Sequence, residues 1–144
     1  MSVWDATAAI SGALSAALVT VACGYAAAQV REARHARAVH SLVAIHQEYQ
    51  APALRRIRRR IRNGEITDFE SLSAEDTENL EDLLQKLELV AFLVNRGLVK
   101  LEDVMELFPS VPLLVAKVQP FVDRRRLTQS SYACHTLELA ARYP

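Results

Sequence analysis

A chain of 144 residues that is 51% apolar, with only four glycines and five prolines, is long enough for one cored domain and too apolar to be disordered. The apolar residues come in long runs with few turn-formers between them, which favours helices over many short strands and predicts an all-α chain. Formal charge is zero overall, yet residues 31–66 carry +6, residues 67–106 carry −8 and residues 107–144 carry +3; opposed blocks of this kind attract each other inside one fold or orient a molecule at a charged surface.

The first element is "ATAAISGALSAALVTVACGYAAA", residues 6–28, which carries no charge. As a helix its 23 residues would extend about 34 Å at about 1.5 Å per residue, against a bilayer core about 30 Å thick. Arg31, Arg34 and Arg37 follow at once. Three readings stay open: a retained membrane span, a signal peptide cut near Ala26–Ala28, and a buried soluble helix. The span accounts best for the sharp basic edge, while the signal lacks a basic start, since Asp5 is the only early charged side chain. For a span, the three arginines place residues 31–144 in the cytoplasm, with residues 1–30 as the anchor. Trp4 and Tyr25 fall near its two ends, where aromatic rings favour the interface. Ala8, Gly12, Ala16, Thr20, Gly24 and Ala28 recur at every fourth position. This small-residue stripe suits close helix association, with a second copy or with a partner's span.

Helical spacing continues through Val39, Leu42, Val43, Ile45, His46 and Tyr49. Pro52 is predicted to open a second helix at its first turn. In it Leu54, Ile57 and Ile61 share one face, Arg55, Arg58, Arg59 and Arg62 the other, and Gly64 ends the helix. Ser73 is predicted to cap a long helix with Glu75 and Asp76 in its first turn. That helix would bury Leu80, Leu83, Leu84, Leu87, Val90, Ala91 and Val94, with Leu89, Phe92 and Leu93 widening the apolar face, and stop at Asn95-Arg96-Gly97. A short helix is expected around Leu101–Phe108. Another carries Leu113, Leu114, Val118, Phe121 and Val122, and Pro120 is expected to kink or restart it. A last helix, about 128–142, is expected to bury Tyr132, Leu137 and Leu139.

"RHARAVHSLVAIHQEY", the basic helix after it, and "LSAEDTENLEDLLQKLELVAFLVNRGLVKLEDVMELF" together resemble a widespread bacterial family that carries a domain-of-unknown-function label. The markers are His46 with Glu48, the acid Glu88, and "NRGLV" at 95–99. The resemblance covers nearly the whole chain. It implies one N-terminal span followed by a small cytoplasmic helical domain, and it implies no activity.

No catalytic residues are identified: the chain has no G-x-S-x-G, P-loop, H-E-x-x-H or glycine-rich dinucleotide turn. His35, His40 and His46 are five and six residues apart, which does not line one helix face, and Cys23 and Cys134 form no C-x-x-C pair, so neither a metal site nor a cofactor is expected. Glu88 lies in an apolar run and needs a partner; His46, Arg56 or another basic group would serve, and a ligand pocket is the functional alternative. The arginines of residues 55–62 have three readings: a face paired with the acidic helix 75–82, an anionic-headgroup contact together with Arg31, Arg34 and Arg37, or, least supported, nucleic-acid binding, which lacks interleaved aromatics. The expected function is a non-enzymatic, membrane-anchored helical module in the bacterial inner membrane that binds itself or a protein partner. The alternatives are an anionic-lipid or small-ligand sensor using the arginine helix and Glu88, and a soluble accessory subunit of a larger complex.

Overall fold

The computed structural model describes residues 3–143, with the backbone alone for residues 3–11 and for Ala13. It contains six helices and, among the described residues, no strand: α1 (Val3–Tyr49), α2 (Pro52–Arg62), α3 (Ala74–Asn95), α4 (Leu101–Leu107), α5 (Val111–Thr128) and α6 (Cys134–Ala141). Contacts divide the chain into two units, residues up to Arg37 and residues from Ala38 onward. This division falls inside α1, where the packed part of the helix begins at Ala38, which is 5% exposed.

In the first unit every described side chain from Leu14 to Arg37 is exposed. These include Leu14, Leu18, Val19, Val21 and Tyr25. The stretch of α1 from Leu14 is long and apolar enough to cross a membrane, with none of its apolar window buried. Its one polar stripe residue, Thr20, is satisfied internally: Oγ1 donates to the Ala16 carbonyl at 2.9 Å.

The second unit is built on α3. One face of that helix supplies Leu80, Leu83, Leu84, Leu87, Val90, Ala91 and Val94, all buried. It packs chiefly on α6 and also on α2, while α5 contacts α2 and α6. The end of α1 enters the same core through Leu42 and Tyr49, whereas Val39 and Val43 stay exposed. Leu89, Phe92 and Leu113 also stay on the surface; helix rotation puts them outside the arc that meets other helices.

Local signals set the ends. The Ser73 hydroxyl accepts from Asp76 N–H at 3.1 Å and caps α3. At Gly64 (φ +75°) and Gly97 (φ +65°) the helices α2 and α3 end alike. Glu65 N–H reaches the Arg60 carbonyl and Leu98 N–H the Leu93 carbonyl, with Gly64 bonded to Ile61 and Gly97 to Val94. This paired closure needs a left-handed residue at its centre, which glycine supplies without a Cβ penalty.

Two expectations change. Helix α5 does not restart at Pro120 but runs through it as one element. Pro120 and Ala116, whose carbonyl would have received the missing N–H, are both exposed, so water can satisfy that carbonyl. The last helix begins at Cys134 rather than near 128. Gln129 is extended, and Ala133 is left-handed at φ 53°, so residues 129–133 turn the chain before α6 starts.

Candidate functional site

Two concave sites lie in the second unit, and they separate residues that sequence reasoning had grouped. The first lies between α2 and the start of α5. It has a volume of about 300 Å³ and is lined by Arg55, Arg58, Arg59 and Arg62, with Gln50, Ser110, Leu113 and Leu114. The amphipathic spacing of α2 explains the geometry: Leu54, Ile57 and Ile61 are buried, so the intervening arginines are turned outward together.

Only part of this basic face meets the acidic helix. Arg60 donates to both Asp76 carboxylate oxygens at 2.8 Å, and this bond raises the guanidinium pKa and lowers that of Asp76. Arg58 is committed elsewhere. It donates to the Tyr49 carbonyl at 2.8 Å and the Gln50 side chain at 3.3 Å, and its guanidinium lies 3.6 Å from the centre of the Tyr49 ring. Tyr49 is itself 1% exposed, set edge-on to Phe108 at 4.9 Å. Among the described residues Arg55, Arg59 and Arg62 have no carboxylate within pairing distance. The lining of this concavity holds no acid; elsewhere in the body Glu48 and Asp82 pair with Lys86, Glu70 with Arg124, and Glu81 with Arg125. The reading in which the arginine face pairs with residues 75–82 therefore holds for Arg60, and the charge of Arg56 also acts on Asp76, while among the described residues Arg55, Arg59 and Arg62 make no such pair.

Glu88 belongs to the second concavity, about 650 Å³, between α3, the end of α5 and the 129–133 turn. Its partner is neither His46 nor Arg56. One carboxylate oxygen accepts from His135 N–H at 3.1 Å; the other accepts from Thr136 N–H and from Thr136 Oγ1, both at 2.8 Å. Ala133, the residue that precedes α6, offers no capping side chain, and Glu88 of α3 performs that task across the core. An acid at this place also meets the positive end of the helix dipole. The apolar run thus contains one acid because the neighbouring helix needs an acceptor there. Nearby, the Tyr132 hydroxyl is buried with no hydrogen-bond partner, and its pKa is raised, mostly by burial and then by Glu81.

The same place brings Glu88 beside Cys134 and His135, which lie more than forty residues further along the chain. Donor atoms of Glu88, Cys134 and His135 lie within 4.8 Å of one another, a set that could hold a metal ion. In the structure they serve each other: the Cys134 thiol donates to Glu88 at 3.6 Å, and burial followed by the nearby carboxylate pushes the thiol pKa up. His46 is half-buried; its Nδ1 has no partner and its ring stands edge-on to Phe108 at 5.2 Å.

Of the small-residue stripe, Gly12, Ala16, Thr20, Gly24 and Ala28 are exposed, and nothing lies within 4 Å of where a Cβ would stand on Gly12 or Gly24. Ala8, like Trp4, Asp5 and Ile10, lies outside the described side chains. Arg31 and Arg34 are exposed on the same helix, as is Arg37. Sequence reasoning missed Ser110 and Leu113 as neighbours of the arginines; only the packing of α5 on α2 reveals them.

No curated protein and no solved structure matches the chain. A family profile does match, over residues 6–143, nearly the full sequence on which the two sites and the apolar helix lie: the chain belongs to the DUF4760 family, a domain of unknown function.

Proposed function

We propose that this protein is a membrane-anchored, non-enzymatic helical module of the bacterial inner membrane, whose cytoplasmic body binds a protein partner or a second copy of itself. The observation that supports this reading is the unburied apolar stretch of α1. Leu14 is 59% exposed, Leu18 68% and Val21 71%, a surface that water does not favour and that lipid or another helix would cover. Orientation rests on Arg31, Arg34 and Arg37 at the C-terminal flank, set against Asp5 at the other. The open stripe around Gly12 and Gly24 gives a second helix room to approach.

Alkaline carbonate extraction of membranes from cells expressing the full chain tests the anchor. Retention of the full-length protein in the pellet is the expected outcome. Release into the wash would overturn the anchor and favour a soluble subunit whose first helix packs on a large partner. Arg55, Arg59 and Arg62 of α2, with no carboxylate in pairing distance among the described residues, support a second reading, an anionic-lipid or small-ligand sensor.

A further inference from the structure

We infer that the cavity between α2 and α5 is a binding site for a phosphate-bearing anion, either a soluble phosphate ester or the headgroup of a lipid. This inference does not rest on the membrane anchor.

Charge is the first argument. Arg55, Arg59 and Arg62 stand at i, i+4 and i+7, so one helix face carries all three, and like charges at that spacing repel. The lining contains no acid. Lys117 adds a further cation, its Nζ donating to the Arg62 carbonyl at 3.0 Å. Nothing among the described residues neutralises this cluster, and an exogenous anion would.

The opposite wall points the same way. Ser110 is the residue at the start of α5, an 18-residue helix with no side-chain cap and no acid in its first turn. Val111 N–H is taken by the Phe108 carbonyl and Pro112 has no N–H, so this end adds only the weak dipole of the helix to the charge of the arginines. The Ser110 hydroxyl is met only by the Tyr49 hydroxyl, at 3.5 Å, the outer limit of a hydrogen bond, and it can turn toward a ligand oxygen.

Chemistry selects phosphate among anions. A carboxylate offers one charge and two oxygens, and would leave most of the cluster uncompensated. A phosphate monoester offers up to two charges and three terminal oxygens, matched by planar guanidinium forks. The cavity volume of about 300 Å³ lies at the lower end of small-ligand sites. Leu113, 49% exposed, and Leu114 provide an apolar wall for the organic part of an ester.

The test uses the full chain in phosphatidylcholine nanodiscs, titrated calorimetrically with inorganic phosphate and with glycerol 3-phosphate. Saturable binding is expected, weakened about tenfold or more by Arg55→Gln with Arg59→Gln. Arg124→Gln with Arg126→Gln, an equal loss of charge elsewhere, should leave it unchanged. Arg55 and Arg59 are exposed and without partners, so the first pair should melt like the parent. Arg62→Glu should reproduce the loss alone. Nanodiscs containing phosphatidic acid separate the sources: if the lipid abolishes the soluble titration, a headgroup fills the cavity, and if the titration persists, the ligand is a soluble ester. The proposal is overturned if neither probe binds saturably and phosphatidic acid stabilises the parent no more than the double variant, or if both double variants lose binding equally. The titration reads the same on protein prepared without a bilayer, so a failed anchor and a failed cavity give different results.

Discussion

The two units handle apolar surface in opposite ways. From Ala38 onward the chain covers most of its own: Leu80, Leu83, Leu87 and Val90 of α3 are fully buried against α2, α6 and one another. Up to Arg37 it covers none of what is described, and Leu18, Val19 and Val21 of α1 remain open. One unit thus carries its stability within itself, while the other depends on its surroundings. Both are helical, so secondary structure alone does not separate them.

The largest test of that contrast is truncation. Leu87→Ala should lower the unfolding free energy of the body by about 2–5 kcal/mol in a urea titration, whereas Leu18→Ala should leave it unchanged; comparable losses would mean that α1 is packed on the body. Next comes Leu18→Arg, which should weaken membrane insertion by about 2.5–3.5 kcal/mol, visible as protein in the carbonate wash, with no change in the melting of the body. Within the body, Glu88→Gln should cost about 1–3 kcal/mol and speed amide exchange at His135 and Thr136 before it affects α3. A variant with normal protection there would show that the carboxylate is not the cap.

The smallest effect is electrostatic. The bond to Arg60 lowers the pKa of Asp76 in the folded state, so its stabilisation is present above the unfolded value near 3.9 and is lost as pH falls through the folded value. Lys86 has a raised pKa, chiefly from its bond to Glu48, so its stabilisation is present below the unfolded value near 10.4 and fades as pH rises through the folded value. Asp76→Asn should flatten only the acid limb of a stability–pH curve, and Lys86→Gln only the alkaline limb.

These contrasts were unevenly legible in the sequence. Pro52, Gly64, Ser73 and Gly97 announced their helix ends because each acts through backbone bonds within a few residues of itself. The buried face of α3 was equally plain from spacing. Glu88 declared a need for a partner but could not name one, since the donors are backbone amides more than forty residues away and amides carry no sequence signature. Which arginine of α2 meets Asp76 depends on a helix rotation that periodicity fixes only coarsely. Ser110, between Pro109 and Pro112, reads as loop until α5 is packed on α2. The continuity of α5 through Pro120 escaped because it depends on which side of the helix faces water.

The cap on α6 also sets an order of events. An eight-residue helix has little stability in isolation, and its acceptor resides on α3. During synthesis α3 is complete long before Thr136 exists, so Glu88 must wait in water until residues 134–141 have been made. Only then can α6 form and close the body, which makes closure a late checkpoint in the assembly of a nascent chain.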